Sequence, residues 1–404
     1  MANGTAVRCV LLLGGLGLGP APCGGAGEVA GAHSGAQATR AERLVAIHVA
    51  PRGDVAMLAG RKGGRPGALD ERSLLLLDLE TGGVARRYQG DYPDGIGEWS
   101  PDGRSFATAR RGQRGARHVG CLNVRSGEWT GLQRVGYYGW PHWTPDGTRI
   151  VFETRGGRVA WDPYQVHEVS TGGRDARVVA NGSLRYCWRP FLGEALVFRS
   201  TATSGELAAG PRRYRYYALA QRTPTAAELQ GVALLHRGAA RASSVHDQYE
   251  LLPDYFVEAV FGHVGGHALA AQCYPITYGV PDTSSPSLRV VDDLSAPNGR
   301  ELCAGAFGPL AWAPDGDRLV GVAGGSASGY GPLCEIDART GQVAALVPDG
   351  DRPLEGMSPQ WGRGSRTIIY MRQIGDELTV WCYDRRLRTC RQLFPAAPPE
   401  AQVR

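Results

Sequence analysis

The chain has 404 residues, with 58 glycines, 26 prolines, 43% hydrophobic residues and a formal charge of +5. Such a composition buries a core but breaks its elements often, which points to many short strands and turns and away from long helices. The positive charge comes from arginines dispersed along the chain, Lys62 being the only lysine, so the concentrated basic face of a nucleic-acid-binding protein is missing and nucleic acid is not an expected partner.

Residues 1–31 begin with one positive residue, Arg8, followed by an apolar run from Cys9 to Gly19, then Pro20 and small residues through Ala26. That order matches a secretory signal, and the run is too short to span a bilayer. The expectation is a periplasmic or secreted protein with no transmembrane segment after signal removal. The alternative is a disordered Gly/Ala-rich leader on a cytoplasmic protein.

From residue 32 to 396 one phrase recurs. A degenerate copy, His48-Val49-Ala50-Pro51-Arg52-Gly53, comes first. Trp99-Ser100-Pro101-Asp102-Gly103 and Trp143-Thr144-Pro145-Asp146-Gly147 follow, then Cys187-Trp188-Arg189-Pro190. The segment Phe261-Gly262-His263-Val264-Gly265-Gly266 is the weakest copy, Trp312-Ala313-Pro314-Asp315-Gly316 is complete, and Gln360-Trp361-Gly362-Arg363-Gly364 is the last. Proline presets φ, aspartate bonds its own backbone and glycine accepts positive φ, so each copy predicts a hairpin.

A second phrase, an apolar strand running into a polar residue and a Thr/Ser-Gly turn, appears at 75–82, 121–127, 166–172 and 334–341. It predicts a second hairpin per repeat. Two hairpins make a four-stranded antiparallel sheet, one unit of a radial all-β architecture.

The turn positions 51, 101, 145, 190, 264, 314 and 363 are separated by 50, 44, 45, 74, 50 and 49 residues. Five of these fit one repeat length, and the long one places an insertion at about 208–250, with a short helix starting at Thr225. The count is seven repeats, or six if the weak copy is a decorated loop. Residues 397–404 form a tail.

Seven cysteines lie beyond the leader, and Cys382 and Cys390 flank a turn centred on Arg386. They would face each other across a hairpin, either as a disulfide or as two free thiols. No Cys-x-x-Cys occurs, which argues against a zinc ribbon.

The Trp-Ser-Pro-Asp-Gly phrases, with their downstream Thr/Ser-Gly turns, resemble the TolB-like (WD-like) β-propeller family over residues 42 to 394. The resemblance implies an all-β propeller of four-stranded blades. The sequence departs from TolB in showing no separate N-terminal α/β domain, and no hydrolase domain follows as in prolyl-oligopeptidase-like enzymes, so a role in the Tol envelope system is not expected.

In such a fold, function belongs at the channel mouth. Three residues before each turn position stand His48, Glu98, His142, Cys187, Phe261, Ala311 and Gln360. The first four offer imidazole, carboxylate and thiolate at one level, a donor set for a divalent transition metal such as zinc. The alternative is that these side chains bond the backbone of neighbouring repeats. The loops before them carry Tyr92, then Tyr137, Tyr138 and Trp140, then Arg185 and Tyr186. With Glu98, His142 and Gln360 these form a candidate surface for a glycan or peptide.

His263 and His267 read as solvated turn residues, Asp102, Asp146 and Asp315 as turn formers, and the glycine-rich run with Ser326 and Ser328 lacks a nucleophile-elbow pattern. The expected function is therefore binding of a small ligand, glycan or peptide at the channel mouth, without catalysis and without a cofactor. One alternative is a metal-dependent lyase of acidic oligosaccharides, a role implied by likeness to the propeller-built oligogalacturonate lyases. Another is a protein-docking scaffold that works through the 208–250 insertion.

Overall fold

A computed structural model describes residues 43 to 395 with interruptions, the longest at 62–71, 156–163, 201–215 and 221–246. The leader, the 397–404 tail, the helix expected at Thr225 and the run with Ser326 and Ser328 lie outside the described residues.

The strands come in successive antiparallel groups of about four, two pairs of which are joined into eight-stranded sheets where Gly182 and Ser183 pair with Ser200 and Arg199 and where Gly331 and Pro332 pair with Gly356 and Glu355. The first holds β1 (Arg43–Val49), β2 (Val55–Arg61), β3 (Arg72–Asp78) and β4 (Val84–Tyr88), and the second β5 (Gly97–Trp99), β6 (Ser105–Arg111), β7 (Arg117–Asn123) and β8 (Trp129–Val135). The third holds β9 (His142–Trp143), β10 (Arg149–Arg155), β11 (Tyr164–Ser170) and β12 (Arg177–Ser183). After β13 (Cys187–Trp188), the fourth holds β14 (Phe191–Leu192), β15 (Ala195–Ser200), β16 (Tyr216–Ala220) and β17 (Asp247–Leu251).

Then come β18 (Tyr255–Gly262), β19 (Leu269–Thr277) with the short β20 (Val280–Pro281), β21 (Ser287–Val291) and β22 (Arg300–Ala304). They are followed by β23 (Ala311–Trp312), β24 (Arg318–Val322), β25 (Gly331–Asp337) and β26 (Val343–Ala345). The last group is β27 (Glu355–Trp361), β28 (Thr367–Ile374), β29 (Glu377–Asp384) and β30 (Thr389–Phe394). The described residues contain no α-helix, and no helix among them is long and apolar enough to cross a membrane.

Each buried apolar cluster spans two successive groups. Met57 and Leu74 of the first share a cluster with Trp99 and Phe106 of the second, and Leu58 and Leu75 share one with Ile369 and Leu393 of the last. The sheets therefore pack face to face in a closed ring, which is a β-propeller. Among the described residues the first and last groups are each built from consecutive strands, and their side chains pack across the junction that closes the ring.

The turns behave as their residues dictate. Ser100 Oγ donates to Asp102 Oδ1 at 2.6 Å while the amide of Ser105 donates to Ser100 Oγ, and Thr144 and Asp146 repeat the arrangement. Burial pushes the Asp102 and Asp146 carboxyls up, but the hydroxyl and amide donors outweigh it and hold both below the usual range. In the outer hairpins, Thr81 N and Thr81 Oγ1 both donate to Asp78 Oδ1, and Thr340 does the same to Asp337. Asp384 makes a further copy that the sequence pattern does not display, with Arg388 at φ +54° in place of the glycine.

The recurrent tryptophan has a specific task. Trp99 Nε1 donates to the carbonyl of His48, Trp143 Nε1 to Glu98, Trp312 Nε1 to Phe261 and Trp361 Nε1 to Ala311, at 2.7 to 3.0 Å. Each indole thus ties its innermost strand to the innermost strand of the preceding group. The first group carries Val49 where five of the others carry Trp, and at this seam the bond comes from the other side. The Gln360 side chain accepts from Val49 N at 2.8 Å and donates to Ile47 O at 2.7 Å. Arg391 adds a bond to the Leu79 carbonyl.

Gln360→Glu keeps the acceptor but sets a carboxylate against the Ile47 carbonyl. The expected cost is about 1–3 kcal/mol, and amide exchange in the 43–49 segment should rise before exchange elsewhere; unchanged protection there would contradict the bracket.

Two expectations are corrected here. The hairpin holding Cys382 and Cys390 pairs Asp384 with Thr389, so its centre falls between Arg386 and Leu387. That half-residue offset sets Cys390 opposite Tyr383 and Cys382 opposite Arg391, on opposite faces, and both are free thiols whose protonated forms burial favours. The expected insertion at 208–250 contains β16 and most of β17, the outer strands of the fourth group, and the rest of it lies outside the described residues.

Candidate functional site

The innermost strands surround an axial cavity of about 360 Å³ whose described lining residues are mostly apolar. Besides His48, Ser358 and Gln360, a linked polar group interrupts the wall. Glu98 on β5 accepts a hydrogen bond from His142 Nδ1 on β9 at 2.8 Å, and Arg189, just after β13, brings its Nε to 3.6 Å from the other oxygen of Glu98. A carboxylate only accepts, so Nδ1 of His142 carries the proton and the ring orientation is fixed. His142 is 6% exposed, and its Nε2 has no hydrogen-bond partner among the described residues.

Arg189 is held in an unusual way. β13 leaves its own group and pairs in parallel with β18, matching Cys187 with Val260 and Trp188 with Phe261, whose rings stack at 4.9 Å and 8°. The Arg189 backbone, at φ +52°, then lies against Gly262, where an added Cβ would fall 1.9 Å from the Arg189 carbonyl oxygen. Gly262 occupies the position of the repeat that holds Trp in its neighbours. The weak fifth copy is weak because the preceding strand fills that space. Its turn is nonetheless regular, with Gly266 N donating to His263 O and His263 N to Ala268 O.

The expected site residues separate into three sets. Glu98 and His142 are brought together in the cavity wall, and His48 lines the same cavity with its ring tilted against Phe106 at 5.5 Å. Cys187 is not part of the group; it is buried in an apolar cluster with Val197, Val260 and Cys273. Among the described residues no cluster of three or more His, Cys, Asp or Glu side chains is placed to hold a metal ion, so the donor set of His48, Glu98, His142 and Cys187 does not fit one.

Tyr92 is 1% exposed and packs edge-on against Trp129 at 6.2 Å, a core residue and not a channel-mouth one. Gln360 lines the cavity, but both ends of its amide are committed to the ring seam. Tyr137, Tyr138, Trp140, Arg185 and Tyr186 lie outside the described residues. His263, read as a solvated turn residue, is buried and meets Trp312 edge-on at 6.0 Å, and this desolvation lowers its pKa.

Sequence reasoning missed Arg189 and Trp188 as cavity residues. The signal was present: the position before each turn holds Ala50, Ser100, Thr144, Ala313 and Gly362, and Arg189 and His263 are the large residues in that series. A side chain too big for its place in a repeat marks a unit built for something besides the repeat.

No protein-family model matches the sequence, and no curated protein matches it. Solved structures do. The β-propeller domain of the Trilobed protease from Pyrococcus furiosus, whose description notes an open velcro topology, aligns at 10% identity over 89% of this chain and 97% of that one, with a TM-score of 0.56. The fold is shared. An acylaminoacyl peptidase from Pyrococcus horikoshii aligns at 11% identity over 91% of this chain, with a TM-score of 0.58, and this chain covers 54% of that enzyme.

An oligogalacturonate lyase in complex with manganese aligns at 16% identity over 83% of this chain and 87% of that one, with a TM-score of 0.55. At these identities the likeness is one of fold alone. TolB from Acinetobacter baumannii aligns with a TM-score of 0.44, too low to single out the TolB-like class among propellers.

Proposed function

We propose that this protein is an exported, seven-unit propeller that binds a small ligand, a glycan or a short peptide, in its axial cavity. The observation that carries the reading is a linked polar group, Glu98, His142 and Arg189, set in a mostly apolar concave wall. That combination suits a ligand with an apolar face and a few oriented polar atoms. Trp188, half-buried and stacked on the buried Phe261, supplies flat apolar surface of the kind that sugar faces and aromatic side chains pack on. Neither the peptidase nor the lyase neighbours decide between glycan and peptide, since one fold hosts many activities.

The test is a thermal-shift screen of neutral and charged glycans and short peptides, repeated on Glu98→Gln. The amide can still accept from His142 Nδ1 and should fold, but it no longer holds the Arg189 guanidinium by charge. Ligands that raise the wild-type midpoint should bind Glu98→Gln about tenfold more weakly, the scale of one charge-assisted contact. Hits that bind both proteins equally would place the ligand elsewhere.

A further inference from the structure

We infer that the ligand of the axial cavity carries a carboxylate and that Arg189 is the residue that anchors it; this rests on the reading of that cavity as the ligand site. The first argument is a donor and acceptor account of the wall. Around the ring the backbone carbonyls of His48, Glu98, Phe261 and Ala311 are capped by indole N–H groups, and Ile47 O is taken by Gln360. The wall's acceptors are therefore largely occupied.

Its donors are not. Arg189 meets Glu98 with its Nε at 3.6 Å, beyond hydrogen-bonding distance. A guanidinium is planar, with a fork of N–H donors matched to a carboxylate, and it is worth most where apolar walls exclude water. The complement of such a wall is a ligand that brings its own anionic acceptor.

The second argument is backbone strain spent at this residue. Four non-glycine residues among those described have positive φ, and two of them, Arg189 and Ser358, line this cavity. A turn that needed only to turn would hold glycine at position 189, where φ is positive. Arginine is retained at φ +52°, and Gly262 is required beside it so that the Arg189 carbonyl can approach to 1.9 Å from a would-be Cβ. Two positions of the repeat are thus given over to placing one arginine in the cavity wall.

Calorimetry with matched probe pairs tests this: glucuronic acid against glucose, and N-acetylphenylalanine against its amide. At least one acid should bind wild type about tenfold or more tightly than its neutral partner. Arg189→Gly, which relieves the positive φ, should remain folded with an equal or higher melting midpoint and lose the acid preference. Arg189→Lys, which keeps the charge without the fork, should keep part of it.

Equal binding of acid and neutral partners to wild type, or a preference that survives in Arg189→Gly, overturns the carboxylate assignment and leaves the cavity reading intact. If Arg189→Gly does not fold, an undiminished preference in Arg189→Lys overturns it. Failure of all four probes to bind wild type overturns the cavity reading, and the inference with it.

Discussion

Trp312→Ala should destabilise the propeller by about 3–5 kcal/mol, the usual range for emptying a buried aromatic site. Trp312 belongs to the cluster shared by two successive groups, with Phe261, Leu288 and Val290 on one side and Leu319 and Ile336 on the other. Removing it leaves a void between the sheets and frees the Phe261 carbonyl at the same time. Trp312→Phe separates these effects, because it keeps most of the ring volume and loses only the Nε1–H that reaches Phe261 O at 2.8 Å. Its expected cost is about 1–3 kcal/mol, the penalty for a buried carbonyl left without its donor. Urea denaturation followed by far-UV circular dichroism reads both, and a Phe variant as stable as wild type would remove the indole bond from the account.

The second large effect is expected at Gly262. Its φ is unremarkable, so the argument is purely one of space. A methyl group there would lie 1.9 Å from the Arg189 carbonyl oxygen and 3.0 Å from the carbonyl carbon, which are backbone atoms that cannot rotate aside. Gly262→Ala must push β13 off β18, breaking the Cys187–Val260 and Trp188–Phe261 pairing and carrying Arg189 with it. The expected loss is at the upper end of about 1–3 kcal/mol for overpacking, together with loss of ligand binding in the axial cavity.

A control isolates the steric term: Gly375→Ala meets no atom within 4 Å at φ +59°, so it should cost only the left-handed backbone penalty of about 1–2 kcal/mol and leave binding unchanged. A Gly262→Ala protein that binds as wild type does would show that the approach of Arg189 to β18 is dispensable.

The repeating hairpins were legible because their chemistry is local. Pro-Asp-Gly and Asp-x-x-Thr-Gly turns carry their own hydrogen bonds within five residues, so Asp102, Asp146 and Asp78 could be assigned from spacing alone. What tryptophan does was not legible, because its partner lies some 45 to 51 residues earlier and is a backbone carbonyl, which has no residue identity to read. The same positions, read from sequence as a ring of metal-binding side chains, serve the ring mainly through their carbonyls.

That Glu98 and His142 are neighbours was legible because the repeat register sets them on adjacent innermost strands, where they meet at 2.8 Å. Cys187 does not join them, since β13 tilts onto β18 and turns its thiol into apolar packing. Tyr92 failed for a related reason: an aromatic residue in a loop is as readily buried against a neighbouring sheet as exposed on its rim.

The ring seam shows how the fold tolerates an interrupted pattern. Val49 lacks the indole, Gln360 supplies a two-ended amide in its place, and Leu393 and Ile369 pack across onto Leu58 and Leu75. Each bond is modest, but together they close the junction between the first and last groups.

The central claim is that the axial cavity is the ligand site, and the most direct measurement is a crystal structure of the wild-type protein soaked with whichever probe binds in calorimetry. The account predicts electron density on the propeller axis, in contact with Arg189 and His142 and against the face of Trp188. Density on the rim, at the outer strands or beside the 221–246 segment, with the axis empty, would contradict it.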